Sequence, residues 1–277
     1  MIRLGDIEYS NCYPVHARLI EEGPPPGVQL VRGTPGELNA ALAAGDIDVA
    51  PCSSIEYARH AAEYRLMPGL AIASNGAVGS ILLETSDATD RLDGRTVAIP
   101  TASATSVVLL RGLLEERWKI KPKYVWYDQR AATDPADDGA SAVLRIGDVA
   151  LKRGIPADRR GIDLGREWTE WTGLPFVYAL WQVRWGADRA QAYDALHDTL
   201  LASYRWFRDN AADLAHRRAQ TFTVEAGRLL AYWHSLEYVL DERLERGLVA
   251  FYALAVRLGE AAAVPELRWL EGERPSG

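Results

Sequence analysis

From residue 2 to residue 183 the chain alternates short apolar runs with amphipathic segments, and a polar turn follows most of the runs. The runs fall at residues 2–4, 28–31, 47–50, 70–73, 81–83, 95–100, 123–126, 141–146 and 176–183. Short apolar runs bounded by Gly, Pro, Asn and Ser read as strands, and strands alternating with helical segments imply a parallel-type α/β architecture. After Asp188 the pattern changes to helix alone. Ala192, Leu196, Leu200, Tyr204 and Phe207 recur at helical spacing, and Leu244, Leu248, Phe251 and Leu254 line one face of a later helix. Such stripes form core and imply no cofactor. The tail from Gly272 is expected to fray.

A chain of 277 residues is long for one core and typical of two lobes. Texture turns polar after Glu84, at Thr85, Ser86, Asp87, Thr89 and Asp90, where the chain is expected to leave a first lobe. The long strand near Ala179 is expected to bring it back. The expected division is therefore 1–84 plus 180–277 as a discontinuous outer lobe and 85–179 as an inserted lobe, with a ligand cleft between them.

The strand-to-helix turns carry the candidate site, because open α/β folds bind ligands at the carboxyl ends of their strands. Asn11 sits on the first turn, ahead of Pro14, which suits a first helical turn. Its amide can serve a ligand or close an Asx-turn. At the second such turn, Ser53 and Glu56 have capping-box spacing, as do Thr34 and Glu37 earlier. Either Ser53 or Ser54 caps that helix, which is expected to run through Tyr64, and the other hydroxyl faces whatever lies above the sheet. Gly76 and Gly79, next to Ser80, permit close backbone approach or a tight bend. Thr101, Ser103, Thr105 and Ser106 place four hydroxyls within six positions ahead of a helix expected over 107–118. One residue would satisfy an N-cap, so the surplus favours an anion site, where helix N–H groups can hold a carboxylate without Arg or Lys. Asp148, at another strand end, is either an N-cap or a polar group facing the cleft.

Other classes are excluded by what these turns lack. No Gly-x-Gly-x-x-Gly precedes a helix and no phosphate-loop Lys appears, so no nucleotide cofactor is expected. Cys12 and Cys52 make neither a disulfide framework nor a metal site, though both lie at strand-to-helix turns. None of the five histidines is read as pairing with another His or a Cys as a metal ligand. A net charge of −7 argues against a nucleic-acid groove or an anionic membrane surface, and no apolar run is long enough to span a bilayer. The opening lacks a secretory pattern, so a reduced, cytoplasmic protein is expected; the sequence sets no oligomeric state.

Taken together, these features resemble the two-lobed type II periplasmic-binding-protein-like fold, each lobe a mainly parallel sheet flanked by helices, with the C-terminal helices packed on the first lobe. Specific motifs resemble the chorismate dehydratases of the futalosine route to menaquinone. They are Ile7-x-Tyr9-x-Asn11-x-x-Pro14, the turn Ser53-Ser54-Ile55-Glu56-Tyr57, Gly79-Ser80-Ile81, the hydroxyl cluster from Thr101 to Ser106, and Ile146-Gly147-Asp148-x-Ala150-Leu151. A sister family, the 1,4-dihydroxy-6-naphthoate synthases, carries a histidine in the Asp148 neighbourhood, and this chain has none there.

The resemblance implies loss of water from chorismate to give 3-[(1-carboxyvinyl)oxy]benzoate. The substrate's own enolpyruvyl carboxylate is the base, and neither cofactor nor metal is needed. It implies Asn11 as the orienting catalytic residue. Ser53, Ser54, Gly79, Ser80, Ser103, Thr105, Ser106 and Asp148 are expected at the substrate. The competing class is a binding protein for a small carboxylate.

Overall fold

The computed structural model describes residues 1–270. The tail expected to fray from Gly272 lies outside the described residues. Two five-stranded sheets form the framework. The first has the order β2 (Val28–Gly33), β1 (Ile2–Ile7), β3 (Val49–Ser53), β10 (Phe176–Arg184), β4 (Tyr64–Ser74). The second has the order β7 (Lys123–Tyr127), β6 (Thr96–Pro100), β8 (Ala142–Ile146), β5 (Ile81–Thr85), β9 (Arg160–Asp163).

Both sheets are mixed. β1 runs parallel to β2 and β3, and β6 runs parallel to β7 and β8. β10 is antiparallel to β3 and β4, and β5 is antiparallel to β8 and β9. The mainly parallel sheets expected from the alternation are thus half right, and the reason is connectivity. A strand that crosses from one sheet to the other arrives at the edge where its new neighbours end, so it runs against them. β5 and β10 are the first strands after the two crossings.

The crossings also move the expected lobe boundaries. Residues 81–83, read as part of the first lobe, belong to β5 in the second sheet. The chain leaves the first sheet through residues 75–80, a run of small residues, and the polar segment after Glu84 is the turn beyond β5. It returns between α6 (Leu164–Thr172) and β10, through residues 173–175. Two helix boundaries shift as well. α3 (Ser54–His60) ends early because residues from Tyr64 are drawn into β4. The helix expected over 107–118 is α4 (Ala104–Arg111) followed by a wider turn at Gly112–Arg117.

The remaining helices are α1 (Tyr13–Glu22), α2 (Pro35–Ala44), α5 (Gly147–Arg153), α7 (Ala190–Phe222), α8 (Ala226–Ser235) and α9 (Glu242–Arg257). Among the described residues, no helix is long and apolar enough to cross a membrane. The C-terminal helices pack on the first lobe. Tyr13 of α1 stacks on Trp233 of α8 at 5.3 Å and meets Phe207 of α7 edge-on at 6.3 Å. Phe251 of α9 meets Phe176 of β10 at 4.9 Å. Each such buried aromatic removes some 150–250 Å² from water and carries much of the packing energy.

One buried polar knot lies beneath α1. Asp6, Cys12 and His16 bring three donor atoms within 4.8 Å, a Cys and His pairing absent from the sequence reading. Trp181 Nε1, which can only donate, sits 3.0 Å from His16 Nε2. The ring proton is therefore on Nδ1, which donates to Asp6 at 2.8 Å. No lone pair remains on His16 for a metal, so the knot is a hydrogen-bonded support for the first turn.

A second anchor joins three elements at the far end of the first sheet. Asp48, just before β3, receives the Arg3 N–H at 2.7 Å, the Arg3 guanidinium at 2.8 Å and Arg189 at 2.8 Å. Burial pushes its carboxyl up, but the two guanidiniums and the Arg3 N–H outweigh this and hold it well below the usual carboxylate range. A depressed folded-state pKa gives stability that is present above the unfolded value and lost as pH falls. Asp48→Asn should therefore lower the melting temperature at neutral pH, with the gap to wild type closing below about pH 4 in thermal melts. A gap that persists undiminished in acid would contradict the assignment.

Candidate active site

Five helices start at the space between the sheets. Asn11 precedes α1, Pro35 opens α2, Ser53 precedes α3, Ser103 precedes α4, and Gly147 opens α5. All five residues line one cavity of about 500 Å³, counted with its mouth. Its lining among the described residues carries no charged side chain. Positive potential comes instead from helix N-termini, each equivalent to roughly half a charge.

Which hydroxyls are free follows from the hydrogen bonds. Tyr232 of α8 donates to Ser80 Oγ at 2.8 Å, so the Ser80 acceptor is occupied and its own proton has no partner among the described residues. Burial pushes the Tyr232 phenol well above its ordinary value, against the lowering effect of Ser80, and keeps it a neutral donor. Ser103 Oγ accepts the Ser106 N–H at 3.4 Å and donates to Ser106 Oγ at 3.0 Å, which leaves the Ser106 proton free. Ser53 is the N-cap residue of α3, but its hydroxyl makes no capping bond and lines the cavity. Asn11 forms no Asx-turn: its side-chain oxygen is buried without a partner among the described residues.

The structure sets four expected substrate contacts away from the cavity wall. Ser54 Oγ donates to the Val177 carbonyl at 2.8 Å and lies 3.3 Å from Thr105 Oγ1. Thr105 Oγ1 also accepts the Ile55 N–H at 3.2 Å. Both hydroxyls are consumed in a buried knot that ties the start of α3 to the start of α4. Gly79 is exposed; its N–H donates to Asp163 at 2.7 Å, and its φ of +71° fits the crossing segment to that carboxylate. Asp148 neither caps α5 nor lines the cavity, because its carboxylate is taken by Ser10.

Three aromatic residues line the cavity that sequence reasoning did not single out for the site: Tyr9, Tyr178 and Tyr232. Tyr178 lies in a strand and Tyr232 in a helix that both read as core. Tyr9 was part of a quoted motif, yet nothing in the sequence shows that it bridges the lobes. Its ring packs on Gly147, where an added Cβ would lie 2.6 Å from Tyr9 Cδ2, and its hydroxyl accepts from Gln129 at 2.9 Å. At the rim Arg130 reaches Glu37 across the same gap at 3.2 Å.

Two lobes joined by two crossings, with helix ends from both facing one neutral cavity, define a two-lobed α/β fold of the periplasmic-binding-protein type. Solved structures agree on the fold. A protein from Archaeoglobus fulgidus superposes with a TM-score of 0.74 at 18% identity, over 93% of this chain and 97% of that one. The periplasmic aliphatic sulphonate-binding protein SsuA of Escherichia coli gives 0.63 at 16% identity, over 100% of this chain and 95% of that one. The family described as menaquinone biosynthesis matches residues 2–257, and the chain belongs to that family. Among curated relatives, the chorismate dehydratase of Thermus thermophilus is 31% identical over 264 residues, covering 90% of this chain and 93% of that protein. That of Campylobacter jejuni is 33% identical over 181 residues, covering 63% and 64%.

Gly147 has φ +59° and no room for a methyl beside Tyr9. Gly147→Ala should cost on the order of 1–3 kcal/mol in denaturant titrations. Part of that loss needs the Tyr9 ring. The double variant Tyr9→Ala/Gly147→Ala should therefore lose less than the sum of the single losses. Strict additivity would mean the glycine serves its backbone angle alone.

Proposed function

We propose that this chain is a hydro-lyase that converts chorismate to 3-[(1-carboxyvinyl)oxy]benzoate in menaquinone biosynthesis by the futalosine route. The observation that carries the reading is the match between unspent hydrogen-bonding groups and this substrate. Chorismate offers two carboxylates and an ether oxygen, which only accept, and a single hydroxyl that can donate. The cavity offers the free protons of Ser80 and Ser106, the hydroxyl of Ser53 and helix-terminal N–H groups, together with one buried acceptor, Asn11 Oδ1.

In this reading the carboxylates lie against the hydroxyls and helix ends. Asn11 accepts from the C4 hydroxyl and donates through Nδ2 to the enolpyruvyl carboxylate, holding both over C3 and C4. That carboxylate takes the proton from C3, the C3–H electrons form the new ring double bond, and the C4–O bond breaks. Hydroxide leaves and combines with the transferred proton as water. Aromatisation makes the step downhill. The residues supply orientation and charge stabilisation in a closed, water-poor space. Among the described residues, no carboxylate or histidine lines the cavity to act as base, which fits a base carried by the substrate.

Purified protein incubated with chorismate should yield the aromatic enol ether, seen by mass as loss of one water. Asn11→Ala should reduce turnover on the order of 100-fold while leaving the melting temperature within a few degrees. Unchanged chorismate with the wild type would favour a binding protein without chemistry. Equal turnover by mutant and wild type would remove Asn11 from the mechanism.

A further inference from the structure

We propose that Asp148 is a positioning residue: by gripping Ser10 from the opposite lobe, it fixes the aim of the Asn11 amide when the cleft is closed. The inference rests on the role given to Asn11 in the dehydration.

Asp148 belongs to α5 in the second lobe, and Ser10 belongs to the turn after β1 in the first. The Ser10 N–H lies 3.0 and 3.1 Å from the two carboxylate oxygens, and the Ser10 hydroxyl donates at 2.5 Å. On the other side, Trp233 Nε1 donates to the Ser10 carbonyl at 2.8 Å. That carbonyl is half of the peptide group that leads into Asn11. The residue before Asn11 is therefore held at its N–H, its side chain and its C=O. Among the described residues no side-chain hydrogen bond holds Asn11, and its side-chain oxygen is buried without a partner there. Nothing downstream of Cα orients the amide, so its direction comes from the clamped backbone.

The choice of a carboxylate is costly for a merely structural link. Asp148 is buried, and no cation forms an ion pair with it among the described residues. Burial raises its carboxyl above the ordinary value despite the Ser10 bonds and the field of Lys152. The other groups that face it, Tyr9 and Tyr232, are neutral. An ionised carboxylate accepts on both oxygens, so neither end turns a donor toward the Ser10 N–H that both of them face. Because its two ends sit on different lobes, the grip forms only with the lobes together. Closure and the placement of Asn11 are then one event.

Steady-state turnover of chorismate by Asp148→Asn and Ser10→Ala tests this. Both variants should lose on the order of 10- to 100-fold in kcat, with KM within about threefold of wild type. The double variant should be no worse than the poorer single variant, because each breaks the same grip. Ser10→Ala removes only a hydroxyl, so it decides the matter if Asp148→Asn folds poorly. A second readout does not need turnover. The side-chain amide signals of Asn11 in 15N NMR, assigned by their loss in Asn11→Ala, should be those of one ordered conformer in wild type and should shift and broaden in both variants. Turnover within twofold of wild type in Ser10→Ala, with unchanged Asn11 signals, would overturn the proposal. Altered Asn11 signals in a protein that leaves chorismate untouched would sink the dehydratase reading and keep the positioning role.

Discussion

The chain must pass between two sheets twice, and everything at the site depends on that constraint. A strand arriving from the other lobe lies against the direction of its neighbours, which is how β5 and β10 enter their sheets. The parallel strands beside them then point their carboxyl ends at the gap, and the helices that follow begin there. Five helix N-termini meet around one cavity as a result. The crossing segments are themselves held by this arrangement: Val78 and Gly79 donate to Asp163, and the Gly147 N–H donates to the Ser80 carbonyl. The same strap that joins the lobes delivers Ser80 to the cavity.

A neutral wall suits a doubly charged guest better than an arginine-lined one in one respect. In the proposed dehydration, dipoles and hydroxyl protons fixed by packing need not reorganise as charge moves from a carboxylate to a departing oxygen. The arginines nearest the rim are already committed, Arg130 to Glu37 and Asp128, and Arg32 to Asp6. The bonds within the wall fill acceptors and leave hydroxyl protons to donate. Tyr232 does this for Ser80, and Ser103 does it for Ser106.

Local physics was legible in the sequence, and long-range physics was not. The capping box of Thr34 and Glu37 forms as its spacing requires, and the hydroxyl excess before α4 does place Ser103 and Ser106 on the cavity. The same cluster also contains Thr105, which turns inward to Ser54, because alternate positions of a helix start face different neighbours. Asp148 stood out as a polar residue at a strand end. Its partner, Ser10, lies 138 residues earlier, and no spacing rule connects them. The membership of β5 was missed because a short apolar strand looks the same in either sheet, and the polar residues after it resembled a linker. Tyr232 was hidden in an amphipathic helix whose buried face reads only as core. Cys12 and His16 are one helical turn apart, and that spacing alone brings the two side chains together.

In the proposed function a dianionic acid lies between the lobes and is held by neutral groups. The most direct measurement is a crystal structure of the Asn11→Ala variant with 3-[(1-carboxyvinyl)oxy]benzoate bound. The ligand is expected in the cavity lined by Ser53, Ser80, Ser103 and Ser106, its two carboxylates on hydroxyls and helix-terminal N–H groups, with no Arg or Lys within hydrogen-bonding reach. A ligand seated elsewhere, or carboxylates held by arginines such as Arg32 and Arg218, would contradict it.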